Sequence, residues 1–234
     1  MKLDRVTITG ADDSVKFADL ESLTSRYPFV DWGILFSSNW KGSPRFPSNE
    51  WLTGAVMDWP GTPEFKACAH LCGKHVRDIV CRGVNEFAEQ EDQVWTGFNR
   101  IQLNFHGHFH NAHPNFIKTL LKYPKDYIFQ CDGVNEQSCV DANSGGVMAY
   151  PLFDRSGGAG VVPVEWPNPW GDYCGYAGGL GPDNLEDQIM KIKDVVGESR
   201  IWIDMETRVR SDDNRVLDLE KVEKCLQIAG KFIS

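Results

Sequence analysis

Polar and titratable side chains recur at every second position where apolar, β-rich runs end. His70 and Cys72 share one face of such a run, Gln102, Asn104 and His106 another, Gln130 and Asp132 a third, and Asp204 and Glu206 a fourth, while Asp154 closes a fifth. His and Cys titrate near neutrality and a neighbouring carboxyl can supply an acid, so these residue types suit proton transfer on a small molecule. If they point into one space, they are more crowded than a structural core tolerates without partners. Any one of them, taken alone, could equally face a helix or cap a loop.

Two glycine clusters bear on what that molecule carries. Ser156-Gly157-Gly158-Ala159-Gly160 follows one strand-like run, and Ala177-Gly178-Gly179-Leu180-Gly181-Pro182 follows the next and leads into a helix. Glycines let backbone approach a ligand closely, and N–H groups at a helix start attract an anion such as phosphate; flexible turns are the alternative. Trp40, Phe46, Trp166 and Trp170 lie beyond the ends of strand-like runs and could stack on a base or aryl ring, or simply pack the loops. His106, His108 and His110, with His113 nearby, alternate as ligands of one metal ion would, completed by Asp or Glu from another strand. Exposed loop histidines are the simpler explanation, so neither metal nor cofactor is expected.

Elements that could position these groups alternate along the chain. Strands are expected at Arg5 to Thr9, Phe29 to Ser37, Phe65 to Cys72, Arg100 to His106, Asp126 to Asp132, Val147 to Asp154, Tyr173 to Ala177 and Arg200 to Glu206. Helical spacing appears at Phe17, Leu20 and Leu23, near Glu50 to Met57, at Asn115 to Tyr123, at Leu185, Ile189, Ile192 and Val196 before Gly197, and at Leu219, Val222, Leu226 and Ala229. Eight strands with intervening helices predict an α/β fold, a closed parallel (β/α)8 TIM barrel, as one domain over residues 1–234. Such barrels carry their chemistry at the carboxyl ends of the strands, where the polar residues fall, and commonly hold phosphate at the last loops.

The chain has 234 residues and a net charge of −9, which argues against wrapping nucleic acid. No apolar stretch approaches the roughly 20 residues needed to cross a bilayer, and Met1-Lys2-Leu3-Asp4-Arg5 enters a strand without a secretory leader, so a cytoplasmic location is expected. Seven cysteines without Cys-x-x-Cys spacing predict reduced thiols. The expected partner is a phosphorylated small molecule; nothing in the sequence sets the oligomeric state.

The motifs resemble phosphoribosylanthranilate isomerase. Val6-Thr7-Ile8-Thr9-Gly10 is similar to the family's first strand, Ser43-Pro44-Arg45-Phe46 to its Ser-Pro-Arg-Tyr, and Gln102-Leu103-Asn104-Phe105-His106-Gly107 to its Gln-Leu-His-Gly with two residues added. Asp154 with Gly157-Gly158-Ala159-Gly160, and above all Ala177-Gly178-Gly179-Leu180-Gly181-Pro182-Asp183-Asn184, match its late strands and loops. The resemblance implies an Amadori rearrangement of a phosphoribosyl compound, with Asp154 as general acid and Arg45 as clamp for a substrate carboxylate. It also implies a strand-one cysteine as base, where this chain has Thr9, and Ser-Ser-Gly after strand eight, where it has Asp204-Met205-Glu206-Thr207-Arg208. A hydroxyl does not ionise near neutrality, so the base would be relocated to His70, Cys72 or His106. Ligand contacts are expected from Arg45, Gln102, Asn104, His106, Asp132, Gly157, Gly158, Gly160, Gly178, Gly179, Asp204, Glu206 and Arg208. Three readings stay open: an isomerase acting on a phosphoribosyl or sugar phosphate, a binder that sequesters a nucleotide-like ligand unchanged, and a metal-dependent enzyme.

Overall fold

The computed structural model describes residues 1–58, 65–105, 112–155, 157 and 159–234, at 56–58 the backbone alone. Eight strands pair in chain order into a closed, all-parallel barrel: β1 (Lys2–Thr9), β2 (Val30–Phe36), β3 (Ala67–Leu71), β4 (Arg100–Leu103), β5 (Asp126–Cys131), β6 (Ala149–Phe153), β7 (Tyr173–Ala177) and β8 (Arg200–Met205), with β8 returning to β1. This is the expected TIM barrel. All seven residues of β2 are buried, because its two faces meet the barrel interior and the helical shell.

The shell comprises α1 (Phe17–Arg26), α2 (Asn49–Asp58), α3 (Lys74–Arg77) running into a π-helical turn at Asp78–Arg82, α4 (Glu86–Gln90), α5 (Asp92–Gly97), α6 (Phe116–Lys122), α7 (Glu136–Ser144), α8 (Leu185–Val196) and α9 (Leu219–Gly230). On α8 the buried side chains Leu185, Ile189, Ile192 and Val196 form the inward face, and Gly197, at φ +57°, ends the helix. Asp218 starts α9 by accepting the Glu220 and Lys221 N–H groups at 3.1 Å.

One connection departs from the regular strand–helix alternation. The described residues between β6 and β7 hold none, in a segment where Pro163, Pro167 and Pro169 would interrupt it. Trp166 lies here instead, its indole N–H bonded to Gln188 of α8 at 3.0 Å and its ring 5.9 Å from Tyr176. Tyr176 in turn donates its hydroxyl to the Pro167 carbonyl at 3.0 Å. An aromatic loop thus covers the strands where a helix would sit.

Strand residues alone form a second, smaller core of Cys68, Ile128, Leu152 and Trp202, which places it inside the barrel. Trp202 fills this interior because position 175 is glycine: a Cβ there would meet the indole at 2.3 Å. At the amino-terminal ends of the strands lies a buried ion cluster. Asp31, fully enclosed, accepts from Arg5 at 3.2 Å and from Arg100, whose guanidinium sits 5.0 Å from the centre of a Trp202 ring. All seven cysteines are free thiols. Among the described residues no helix is long and apolar enough to cross a membrane.

Candidate functional site at the carboxyl rim

Several strands end earlier than their composition predicts. β3 stops at Leu71, β4 at Leu103 and β8 at Met205, so Cys72, Asn104 and Glu206 lie just past the ladder. Cys72 and Asn104 keep the strand pairing for one more residue: the Cys72 N–H bonds to Phe36 O at 2.9 Å and the Asn104 N–H to Leu71 O at 3.0 Å. The side-chain alternation therefore carries onto the rim and turns these groups into one cavity of about 360 Å³.

Thirteen of the expected residues line it: Arg45, His70, Cys72, Gln102, Asn104, Asp154, Gly157, Gly160, Gly178, Gly179, Asp204, Glu206 and Arg208. His106 and Gly158 lie outside the described residues, as do His108 and His110 of the histidine run. Asp132 is not in the lining. β5 ends at Cys131, Gly133 turns the chain at φ +100°, and Asp132 Oδ1 accepts the Val134 N–H at 3.0 Å. His113 also closes a turn, its Nδ1 accepting the Asn115 N–H at 3.1 Å. No cluster of three metal-ligating side chains forms among the described residues. Of the rim aromatics, only Phe46 lines the cavity; Trp40 points into solvent, Trp166 is core, and Trp170 packs against the core beside a separate groove.

Three carboxyl groups share the cavity in different surroundings. Thr9 donates its hydroxyl to Asp204 Oδ1 at 2.7 Å, both side chains being buried. Burial above all, reinforced by Glu206 and Asp154, raises Asp204 to about 8 against the opposing effects of Thr9 and Arg100, so it holds its proton at neutral pH. Burial also raises Glu206, while Arg45 pulls it down through an ion pair at 2.5 Å. Asp154 accepts from the Gln130 amide at 2.8 Å.

Arg45, expected to clamp a ligand carboxylate, already has a carboxylate of its own. Besides Glu206 it donates to Thr207 Oγ1 at 3.3 Å and Asn214 Oδ1 at 3.0 Å. Its backbone, at φ +79°, is fixed through its N–H to Asp12 at 2.5 Å. Asp12 also receives the buried Arg210 at 2.7 Å, and Arg210 donates to Gly10 O at 2.7 Å, tying the loops after β1, β2 and β8 together. Burial works against the Asp12 charge, but hydrogen bonds from Ser14, Arg45 and Arg210 hold its carboxyl below the usual range. Arg208, by contrast, forms no ion pair with any described residue and stands exposed at the rim.

The groups expected to replace the missing base sit in a dry corner. Burial lowers His70 to about 3, leaving a neutral imidazole, and raises the Cys72 thiol to about 12 despite a hydrogen bond from Asn104. A proton acceptor this weak and a thiol this reluctant to ionise are poor bases at neutral pH. They belong to a chain of amide contacts: Gln102 Nε2 lies 3.2 Å from His70 Nδ1 and 2.9 Å from Asn104 Oδ1, and Asn104 Nδ2 lies 3.4 Å from Cys72 Sγ.

The glycine loops line the cavity and also touch each other. A Cβ at Gly179, φ +60°, would lie 2.6 Å from Val162 N and 2.7 Å from Gly160 O; one at Gly178 would lie 3.0 Å from Val161 O. Glycine there is thus required by the close approach of residues 160–163. Asn184 fixes the second loop, accepting the Gly181 N–H and donating to Gly179 O, each at 2.9 Å.

Composition and spacing missed Thr9 as the partner of Asp204, Gln130 as the support of Asp154, and Leu35 and Thr207 as lining. Gln130 was on the expected inward face, and that face was the available signal. The Thr9 contact joins strands 195 positions apart and becomes visible only when β1 pairs with β8.

No protein-family model and no curated protein matches the chain. Solved structures do share its fold. Phosphoribosylanthranilate isomerase from Thermotoga maritima, as a monomeric form of a dimeric enzyme, is 17% identical with a TM-score of 0.59 over 98% of this chain and 99% of its own. A truncated 3-deoxy-D-arabino-heptulosonate 7-phosphate synthase from Thermotoga maritima is 10% identical, TM-score 0.58, over 98% and 86%. A native KDPGal structure is 14% identical, TM-score 0.53, over 99% and 97%.

Proposed function

We propose that this phosphoribosylanthranilate isomerase-like barrel binds a phosphorylated sugar or phosphoribosyl compound at its carboxyl rim and isomerises it by proton transfer between carboxyl groups. The observation that carries the reading is the pairing in one cavity of Asp204, protonated at neutral pH, with a second carboxyl at Asp154. An isomerisation needs a donor and an acceptor on one ligand and no further reactant. Asp204 supplies the proton, and Asp154, oriented by Gln130, faces the same space. The phosphate belongs at the Gly157, Gly160, Gly178 and Gly179 rim, where Arg208 offers a guanidinium in no ion pair with any described residue. Two structural relatives, a phosphoribosylanthranilate isomerase and a 3-deoxy-D-arabino-heptulosonate 7-phosphate synthase, support the ligand class by analogy of fold alone.

A second reading has a specific observation in its favour. Thr9 is no base, and His70 and Cys72 are both poor ones, so the same pocket could hold its ligand without converting it. One experiment separates the two. Small molecules released from the purified protein are identified by mass spectrometry and returned to wild type and to Asp154→Asn. An isomerase converts the ligand in wild type, while the variant keeps affinity and loses turnover. A binder returns it unchanged from both. Absence of any phosphorylated compound, together with failure of ribose 5-phosphate to bind, refutes both readings. Replacing Arg208 by Ala should weaken binding of a phosphorylated ligand by about tenfold and reduce its salt dependence.

A further inference from the structure

Gly33 lies in the interior of β2, where a residue without a side chain weakens a strand. Its backbone is outside the left-handed region, so conformation does not demand glycine there. Space does: a Cβ at position 33 would collide with Thr9 Oγ1 of β1 and lie 3.0 Å from the His70 imidazole of β3. The missing side chain makes room for the Thr9 hydroxyl, which reaches Asp204 of β8.

That contact gives the two oxygens of Asp204 different roles. Oδ1 receives the Thr9 hydroxyl at 2.7 Å, and both side chains are more than nine-tenths buried. Oδ2 accepts from no described residue and yet is not sealed off, so it opens into the cavity that Asp204 lines. A hydroxyl carries one hydrogen, and Asp204 Oδ1 is its acceptor among the described residues. With that hydrogen spent on Oδ1, the proton of the acid form belongs on Oδ2, the oxygen within reach of a ligand.

We infer that Thr9 is a positioning residue for Asp204: seated in the gap left by Gly33, it occupies Oδ1 and so presents the acid proton on Oδ2 to the bound molecule. The inference deepens the proposed isomerisation and rests on it for the use made of that proton. The residue standing where the sequence resemblance implies a base serves the acid instead.

Aspartate labelled with 13C at its side-chain carboxyl reports the titration of Asp204 in the ligand-free protein, its signal identified by loss in Asp204→Asn. A donor to Oδ1 favours the charged form, so Thr9→Val should move the midpoint upward by about one pH unit, and Thr9→Ser, which restores the hydroxyl, should return it. Gly33→Ala keeps the hydroxyl but displaces it, and should reproduce the upward shift. The other titratable and charged groups acting on Asp204 are Glu206 on its own strand, Asp154 of β6, Arg100 of β4 and the Cys68 thiol of β3, and all are kept in these variants. A midpoint that stays put in Thr9→Val overturns the inference, and so does one that falls, because a fall would place the proton on Oδ1. Ribose 5-phosphate separates this from the wider reading. If wild type isomerises it, Thr9→Val should lower kcat about tenfold at unchanged KM and carry the alkaline limb of the pH profile up by the same shift. If the Asp204 signal shifts as expected but wild type converts neither ribose 5-phosphate nor a co-purified ligand, the positioning stands and the isomerase reading falls. If wild type converts ribose 5-phosphate and the Asp204 signal ignores Thr9→Val, the reverse holds.

Discussion

Asp204→Asn keeps the shape of the side chain and an oxygen to accept the Thr9 hydroxyl, and removes only the titration. In the unfolded chain this carboxyl has its ordinary value of 3.8; in the fold it stands at about 8. Between those values folding must take up a proton, so wild-type stability falls as pH rises; below the lower value there is no such penalty, and above the upper one it is constant. At pH 7 the gap of just over three pH units, at about 1.4 kcal/mol each, amounts to about 4 kcal/mol. At pH 5 it is roughly a third of that. Asn takes up no proton, so the variant should exceed wild type in stability by an amount that grows between pH 5 and pH 8 at up to about 1.4 kcal/mol per pH unit. Urea unfolding of both proteins at pH 5, 6, 7 and 8 measures the difference directly. A difference that does not change with pH, or a variant less stable than wild type at pH 7, would refute a buried neutral Asp204. With a ligand in hand, the acid form that the proposed isomerisation uses should likewise be lost as pH rises through about 8.

Other outcomes follow from the interior and the thiols. Arg100→Met strips Asp31 of its closest cation and should cost about 3–5 kcal/mol at neutral pH, the deficit shrinking in acid as Asp31 protonates, by chemical denaturation. Gly175→Ala forces a methyl group against the Trp202 indole and should destabilise by about 1–3 kcal/mol, with a change in tryptophan near-ultraviolet dichroism. Iodoacetamide at pH 7 should label exposed Cys81 well before Cys72, whose thiol is pushed up to about 12; peptide mass spectrometry reads the order, and early labelling of Cys72 would contradict the dry corner described above.

The strands were legible because a barrel strand is buried on both faces and reads as a short, bounded apolar run; β7 falls where composition places it, and β2 within one residue at each end. Shell helices with a clear apolar stripe, such as α8 and α9, were equally plain. Helix α7 was not, since its buried face consists of Ser138, Cys139 and Ala142, which give no hydrophobic period. The short turns α3 to α5 were hidden for a related reason: each buries one or two side chains, too few to show a repeat. At the site, alternation found most of the lining but not the pairings. That Arg45 would be taken by Glu206, or that Asp204 would be the carboxyl kept neutral, depends on burial and on neighbours brought in by barrel closure. The loop glycines were read for ligand approach, whereas Gly178 and Gly179 first of all accommodate residues 160–163.

Trp202, seated against Gly175 and stacked on Arg100, has a kinetic consequence. It closes the barrel from beneath, so whatever occupies the rim cavity has no back door and must leave by the way it came. Entry and exit then pass the loops that line the mouth, including the 160–163 segment lying against Gly178 and Gly179. Any molecule held there would pass Gly160, Gly178 and Gly179 both ways, so the packing of these two loops bears on rates as well as on affinity.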